Sequence, residues 1–379
     1  MKLLAPITTL LYSASVLAQD TRPPDNCDTE DKSRRGADFV LREHEYDPKV
    51  PALRAIFAGE GRLVSVADVF NDGNRQMTAD ATIESTWRWQ SGDVDTETWV
   101  PQGISTTADA LDVGTYEGYD GFIVSWYTNT DGKASSARVS LVNKETLKYR
   151  HILLVYPHAE DDFREVPIHA GGVMWYGNTL WVVDTDNGIR VFDMDNIWHV
   201  DQGDAVGKNG NGGYSARGYK YVVPQVMWYE WTGDFPFKFS YISLDRTTTP
   251  DSLLVGEYRE DSADHPIRQV RWDLDYTMRT LKTNVDGLAS ATWAYCVNVD
   301  RAQGAVQVDG TIYISRSNSA VRAGEIFTWT PGGPAVKTQD VRPGPEDLTY
   351  DKRTKEVFTL SEHAGNRYIF GIKVSELQP

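Results

Sequence analysis

The run His169-Ala170-Gly171-Gly172-Val173-Met174-Trp175-Tyr176-Gly177-Asn178-Thr179-Leu180-Trp181-Val182-Val183-Asp184 sets a polar opener before two apolar strands separated by Gly177-Asn178. That dipeptide is turn chemistry of the kind that joins antiparallel strands directly. Related openers stand at Ala108-Asp109-Ala110, Pro224-Gln225-Val226, Gln303-Gly304-Ala305 and Pro345-Glu346-Asp347. Third strands follow several of the hairpins, as in Gly188-Ile189-Arg190-Val191-Phe192-Asp193 and Gly324-Glu325-Ile326-Phe327-Thr328-Trp329. An apolar hairpin recurring behind a polar opener is the pattern of a β-propeller. Openers near 109, 169, 225, 303 and 346 are spaced by 60, 56, 78 and 43 residues, which implies loop insertions on a shared scaffold.

The fold expected is therefore all-β: a single five-bladed propeller with its ligand site at the mouth of the central channel. Residues 36–100 either add a sixth blade or supply strands that close the ring. Arg62-Leu63-Val64-Ser65-Val66, Ala81-Thr82-Ile83 and Trp87-Arg88-Trp89 read as strands there. No segment keeps a helical period over about 12 residues, and turn signals arrive every 8 to 12 or so. A pair of packed sheets is the competing architecture. Gly207 to Gly218, with Gly210, Gly212 and Gly213, reads as a mobile loop.

Residues 1–18 read as a cleaved signal peptide, with Lys2 before a largely apolar stretch and Val16-Leu17-Ala18 preceding Gln19. Residues 19–35 form an extended arm, and 36–379 the propeller domain. Secretion implies an oxidising compartment, where the two cysteines, Cys27 and Cys296, pair as one disulfide. With 38 basic against 54 acidic residues the net charge is −16. Such a surface excludes nucleic acid and anionic membranes as partners. Oligomeric state is left open. No nucleophile elbow, Walker loop, dinucleotide fingerprint or zinc-ligand spacing occurs, so neither cofactor nor metal is expected. Asp184-Thr185-Asp186-Asn187-Gly188 resembles the start of a calcium loop but lacks its later acidic ligands, and reads as a turn.

In a propeller, the starts of first strands and the ends of second strands share one face. Asp109, His169, Gln225, Gln303, Glu346 and Asp347 then meet at one rim. Hairpin ends add Tyr127, Asp184, Asp186, Asp245, Arg246, Arg316, Glu362 and His363. His169 is the sharpest candidate, because the glycines behind it permit close approach and imidazole works as donor, acid or base. Trp126-Tyr127, Trp175-Tyr176 and Trp228-Tyr229 place one ring of each pair inside a blade interface and the other outside it.

The stretch from His169 to Gly177, with Asp184-Thr185, Arg190-Val191-Phe192-Asp193, Gln303-Gly304-Ala305-Val306 and Gly344-Pro345-Glu346-Asp347-Leu348, resembles secreted propeller-like proteins of filamentous fungi and actinomycetes. Among fungal members the functional resemblance is to the hetero-Diels–Alderases of tropolone sesquiterpenoid biosynthesis. That resemblance implies a cofactor-free pericyclase joining an o-quinone methide to a humulene-like terpene, an apolar or aromatic small-molecule substrate. His169 and Arg316 are then the catalytic donors. Tyr127, Gln225, Gln303, Asp109, Glu346 and His363 bind substrate.

Two other functions compete. One is a carbohydrate-active propeller, lyase or glycosidase, using His169 with Tyr127 or the carboxylates. The other is a non-catalytic glycan-binding module, which the chemical inequality of the openers disfavours, since a lectin repeats its site with its blades.

Overall fold

Four antiparallel strands, Val173–Tyr176, Thr179–Asp184, Gly188–Asp193 and Tyr221–Trp231, form the blade that contains the opening run, here blade 2. The computed structural model describes residues 27, 33–130, 133–210, 212–260 and 266–378. The expected signal peptide and its cleavage point lie outside the described residues.

Blade 1 comprises Trp99–Thr106, Gly121–Thr130, Lys133–Asn143 and Lys148–Ala159. Blade 3 comprises Tyr241–Asp245, Ser252–Gly256, Arg268–Asp275 and Trp293–Cys296. Blade 4 runs through Ala302–Val308, Thr311–Arg316, Gly324–Trp329 and Val336–Val341. Blade 5 is built from Thr349–Asp351, Glu356–Leu360 and Tyr368–Lys373, and its fourth strand is Thr86–Arg88 from the other end of the chain. First strands pack side by side around the whole circle, blade 5 against blade 1 included. The chain is a five-bladed propeller whose ring is closed by an early strand.

Within residues 36–100 the reading needs correction. Ser65, expected inside a strand, instead caps the helix Val66–Asn71 through a reciprocal hydrogen-bond pair with Asp68. Lys49–Gly59 is also helical and buries Val50, Leu53 and Phe57. Ala81 to Ile83 form no strand: Asp80 accepts from the backbone of Thr82 and Ile83 and bends the chain. Gly207 to Gly218 is not a free loop, because Val206–Lys208 pairs with Tyr214–Ala216.

Apolar clusters fill each blade interface: Met174, Val191 and Ile242 between blades 2 and 3, for example, and Ile104, Trp126, Phe358 and Leu360 between blades 1 and 5. Both faces of a blade are therefore covered. Trp175 and Tyr176, on opposite faces, are both fully buried, against the expectation of one ring in and one out. In blade 1 a polar chain joins three strands to the helix Ser91–Asp95. Trp126 Nε1 donates to Ser140 Oγ at 2.8 Å, Ser140 Oγ bonds His151 Nδ1 at 2.8 Å, and His151 Nε2 bonds Asp93 Oδ1 at 3.1 Å. Its composition is that of a nucleophile relay, but Ser140 is fully buried and committed to Trp126, so the chain is structural.

Cys27 and Cys296 are disulfide-bonded, with 5.7 Å between their Cα atoms. Ser33–Arg34 pairs beside the bond with Trp293–Cys296, so the arm extends blade 3 by one strand. Among the described residues no helix is long and apolar enough to cross a membrane.

Candidate active site at the channel mouth

Three of the expected openers hold their places: His169, Gln303 and Glu346 stand at the starts of the first strands of blades 2, 4 and 5. Blades 1 and 3 open on Gln102 and Ser240, which sequence reading missed. With these, spacings become 67, 71, 63 and 43 residues, more even than before. A recognisable signal was the pair Gln102-Gly103, matching Gln303-Gly304. At both, the strand bulges: register shifts between Pro101 and Ile104 and between Ala302 and Gly304. A bulge re-aims a side chain out of the alternation that the rest of the strand obeys. The following glycine is required for packing. A Cβ at Gly103 would lie 2.4 Å from the Val173 nitrogen, and one at Gly304 2.6 Å from the Asp347 Cα.

The mouth is a cavity of about 610 Å³ whose wall includes Gln102, His169, Ser240, Gln303 and Glu362, with Asp184, Asp186, Lys238 and Tyr258 around the rim. Glu346 lies beneath it, 1 % exposed. Gln303 Nε2 donates to Glu346 Oε1 at 2.9 Å, and Gln102 Nε2 donates to Glu362 Oε2 at 3.1 Å. The Glu362 side chain stands near enough to Glu346 to oppose its ionisation. Burial, then the charges of Glu362 and Asp347, push the Glu346 carboxyl well above its ordinary range. Arg367 Nε donates to the Glu362 carbonyl at 2.6 Å and fixes the backbone below the carboxylate.

His169 lines the cavity, and its ring lies 4.0 Å from that of Tyr127, tilted by 36°. Burial lowers the His169 pKa to about 4, so the imidazole is neutral at pH 7. Among the described residues neither of its ring nitrogens has a hydrogen-bond partner. Burial and the charges of Glu362 and Glu346 push Tyr127 up to about 12, which keeps the phenol protonated. A neutral imidazole, backed by a neutral phenol, thus shares the mouth with Glu362.

Asp347 is fully buried. Its Oδ2 accepts from the Val173 backbone nitrogen of blade 2 at 3.1 Å and its Oδ1 from the Leu348 nitrogen at 3.0 Å, so it ties blade 5 to blade 2 and is structural.

The remaining candidates lie elsewhere. Asp109 follows the first strand of blade 1 and so sits at the far end of the channel. There it caps the helix Thr107–Ala110 and accepts from Ser105 Oγ at 2.7 Å and Thr349 Oγ1 at 2.5 Å. Asp245 and Arg246 end the first strand of blade 3 at that same face, where Arg246 pairs with Asp251 at 2.9 Å. Gln225 belongs to the fourth, outer strand of blade 2. Arg316 is held by Asp300 at 2.9 Å and Glu325 at 3.0 Å and is absent from the wall of the mouth. His363 lies behind the mouth, 3.7 Å from Glu362 Oε1. Asp184, which does line the mouth, forms the predicted turn: it accepts from the Asn187 backbone at 2.8 Å and from Arg190 at 2.7 Å. Among the described residues no group of three or more His, Cys, Asp or Glu side chains is placed to hold a metal ion.

No family model and no curated protein matches the chain. Solved structures do. A GH43_1 enzyme from Xanthomonas citri is 10 % identical, with a TM-score of 0.39 over 74 % of this chain and 88 % of its own. A gluconolactonase from Xanthomonas campestris is 12 % identical, with a TM-score of 0.36 over 83 % and 84 %. A luciferin-regenerating enzyme is 8 % identical, with a TM-score of 0.36 over 74 % and 93 %. Similarity at this level says nothing of activity.

Proposed function

We propose that the protein is a carbohydrate-active propeller enzyme that performs general-acid chemistry on a neutral glycan at the channel mouth. The observation supporting this reading is the proton that burial and the nearby Glu362 charge keep on Glu346, with Glu362 facing the cavity and Glu346 enclosed behind it. A glycosidic oxygen seated against Glu362 receives that proton as its bond to carbon breaks. Water then adds to the carbon, and a proton returns to the pair. Gln102 and Gln303 orient the two carboxyls. His169, backed by the Tyr127 ring, offers a ring edge for a sugar. The acidic rim, Asp184 and Asp186 among it, disfavours a polyanion. Elimination from a uronate is disfavoured too, because His169 near pKa 4 and Tyr127 near 12 are poor proton abstractors at pH 7.

One observation favours a second reading. Glycosidases keep their carboxylates at least about 5 Å apart so that acid and nucleophile or base act separately. Glu362 acts directly on the ionisation of Glu346, so the two carboxyls are not independent. Neutral donors around a small cavity also suit a cofactor-free hetero-Diels–Alder reaction, in which a hydrogen bond to the quinone-methide carbonyl stabilises developing charge. Holding both reactants in a near-attack pose removes up to about 7–11 kcal/mol of barrier in the best cases.

The two readings separate by experiment. A panel of neutral plant and fungal glycans is assayed for new reducing ends, and a quinone-methide precursor with humulene for a single stereoisomer formed above the spontaneous rate. New reducing ends support the first reading. Silence on glycans with a stereochemically pure adduct replaces it with the second.

A further inference from the structure

A separate cavity of about 230 Å³ opens on the outer edge of the ring, where the start of Lys148–Ala159 meets the turn leading into Tyr221–Trp231. Its wall shares no residue with either end of the channel. Arg75, Arg138, Arg150, Arg217 and Lys220 line it, together with His151 and Tyr219, and no carboxylate does. This concentration of fixed positive charge stands out in a chain of net charge −16.

The carboxylates that balance these cations lie behind them and are too few. Asp93 serves both Arg75 at 3.2 Å and Arg138 at 3.0 Å. Asp72 serves both Lys220 at 2.9 Å and Arg150 at 3.5 Å, a long contact. Glu165 takes Arg217 at 2.7 Å. Five cations thus share three carboxylates, and two positive charges are left over. Arg138 is 5 % exposed and has a buried Nε–H without a hydrogen-bond acceptor among the described residues. Tyr219 accepts from Arg138 Nη1 at 3.1 Å and keeps its own proton to donate. Partly desolvated cations are costly without a counter-charge, and several guanidinium groups around a small void suit a tetrahedral oxyanion.

We infer that this cavity binds a phosphate or sulfate group, free or carried as a monoester, with Arg150 and Arg217 as its exchangeable contacts. Two surplus charges match a dianion. This inference is independent of the chemistry at the channel mouth.

The test is calorimetric titration of the full protein at pH 7 with sodium sulfate, inorganic phosphate and a sugar monophosphate, each at constant ionic strength set by sodium chloride. Saturable one-to-one binding is expected for at least one probe. It should weaken at least tenfold in both R150Q and R217Q and be unchanged in K238Q at the channel mouth. Circular dichroism confirms folding of each variant, and R150K, which keeps the charge, should retain part of the affinity. Tighter binding of the monoester than of inorganic phosphate identifies an ester as the ligand; the reverse order identifies the free ion. Unsaturable heats for all three probes, or affinity unaltered in R150Q and R217Q, overturn the inference.

Discussion

At the scale of single residues, chemistry concentrates on a carboxyl kept neutral by burial. Glu346 has the raised pKa and Glu362 faces the cavity, so the proposed acid draws on both. If the mouth transfers a proton, E346Q and E362Q should each lower kcat by about 10²–10⁴, the usual contribution of a positioned acid. If it only donates a hydrogen bond, E346Q keeps a donor and should retain most of the activity, so steady-state kinetics on this variant also separates the two functions. Stability moves the other way. The folded-state pKa of Glu346 is raised, so its contribution is present at low pH and lost as pH rises above the ordinary carboxyl value. E346Q should therefore be more stable than the natural protein at pH 7, by a margin that grows in urea denaturation as pH rises above the ordinary carboxyl value. His169 has the opposite sign: its folded pKa, near 4, is depressed. The unfolded chain takes up a proton below about pH 6.5 while the folded one does not, costing up to about 1.4 kcal/mol per pH unit between 6.5 and 4. H169Q should flatten that acid limb.

At the scale of elements, the blades are joined by small hydroxyls that reach the start or first strand of the next blade. Ser125 Oγ donates to the Ala170 carbonyl at 2.8 Å, Ser243 Oγ to Ala305 at 2.6 Å and Ser315 Oγ to Glu346 at 2.7 Å. The last of these fixes the backbone of the candidate acid from the neighbouring blade. Within blade 1, Ser140 is the shared partner of Trp126 and His151. S140A leaves a buried indole N–H and an imidazole nitrogen unpaired, so a loss of about 1–3 kcal/mol is expected. Denaturant titration measures it, and activity per folded molecule should be unchanged because the chain lies away from the mouth.

At the scale of the molecule, ring closure and the disulfide tie the two ends of the chain into the fold. Thr86–Arg88 supplies the outer strand of blade 5, and Cys27 is linked to Cys296 across 269 residues of sequence. Removing the link with C27S and C296S together should cost about 2–5 kcal/mol, read as a lower midpoint of unfolding. Low cost or none would show that the arm's pairing with blade 3 suffices by itself.

The sequence by itself determined the all-β class, the repeated hairpins, the five blades and the disulfide, because strand periodicity and turn chemistry are local and survive divergence between repeats. It also placed His169, Gln303 and Glu346 at openers, where a small residue or glycine marks the strand start. Tertiary structure decided which end of the channel each candidate faces. Asp109 and Gln225 share the polar-then-apolar pattern of an opener, yet one ends a first strand and the other lies in an outer strand, since alternation alone does not record strand order or direction. Gln102-Gly103 matches Gln303-Gly304 in sequence, but the bulge that aims Gln102 into the mouth exists only in the fold. The approach of Glu362 to Glu346 depends on hairpin geometry and burial, and only those raise the pKa of an otherwise ordinary glutamate.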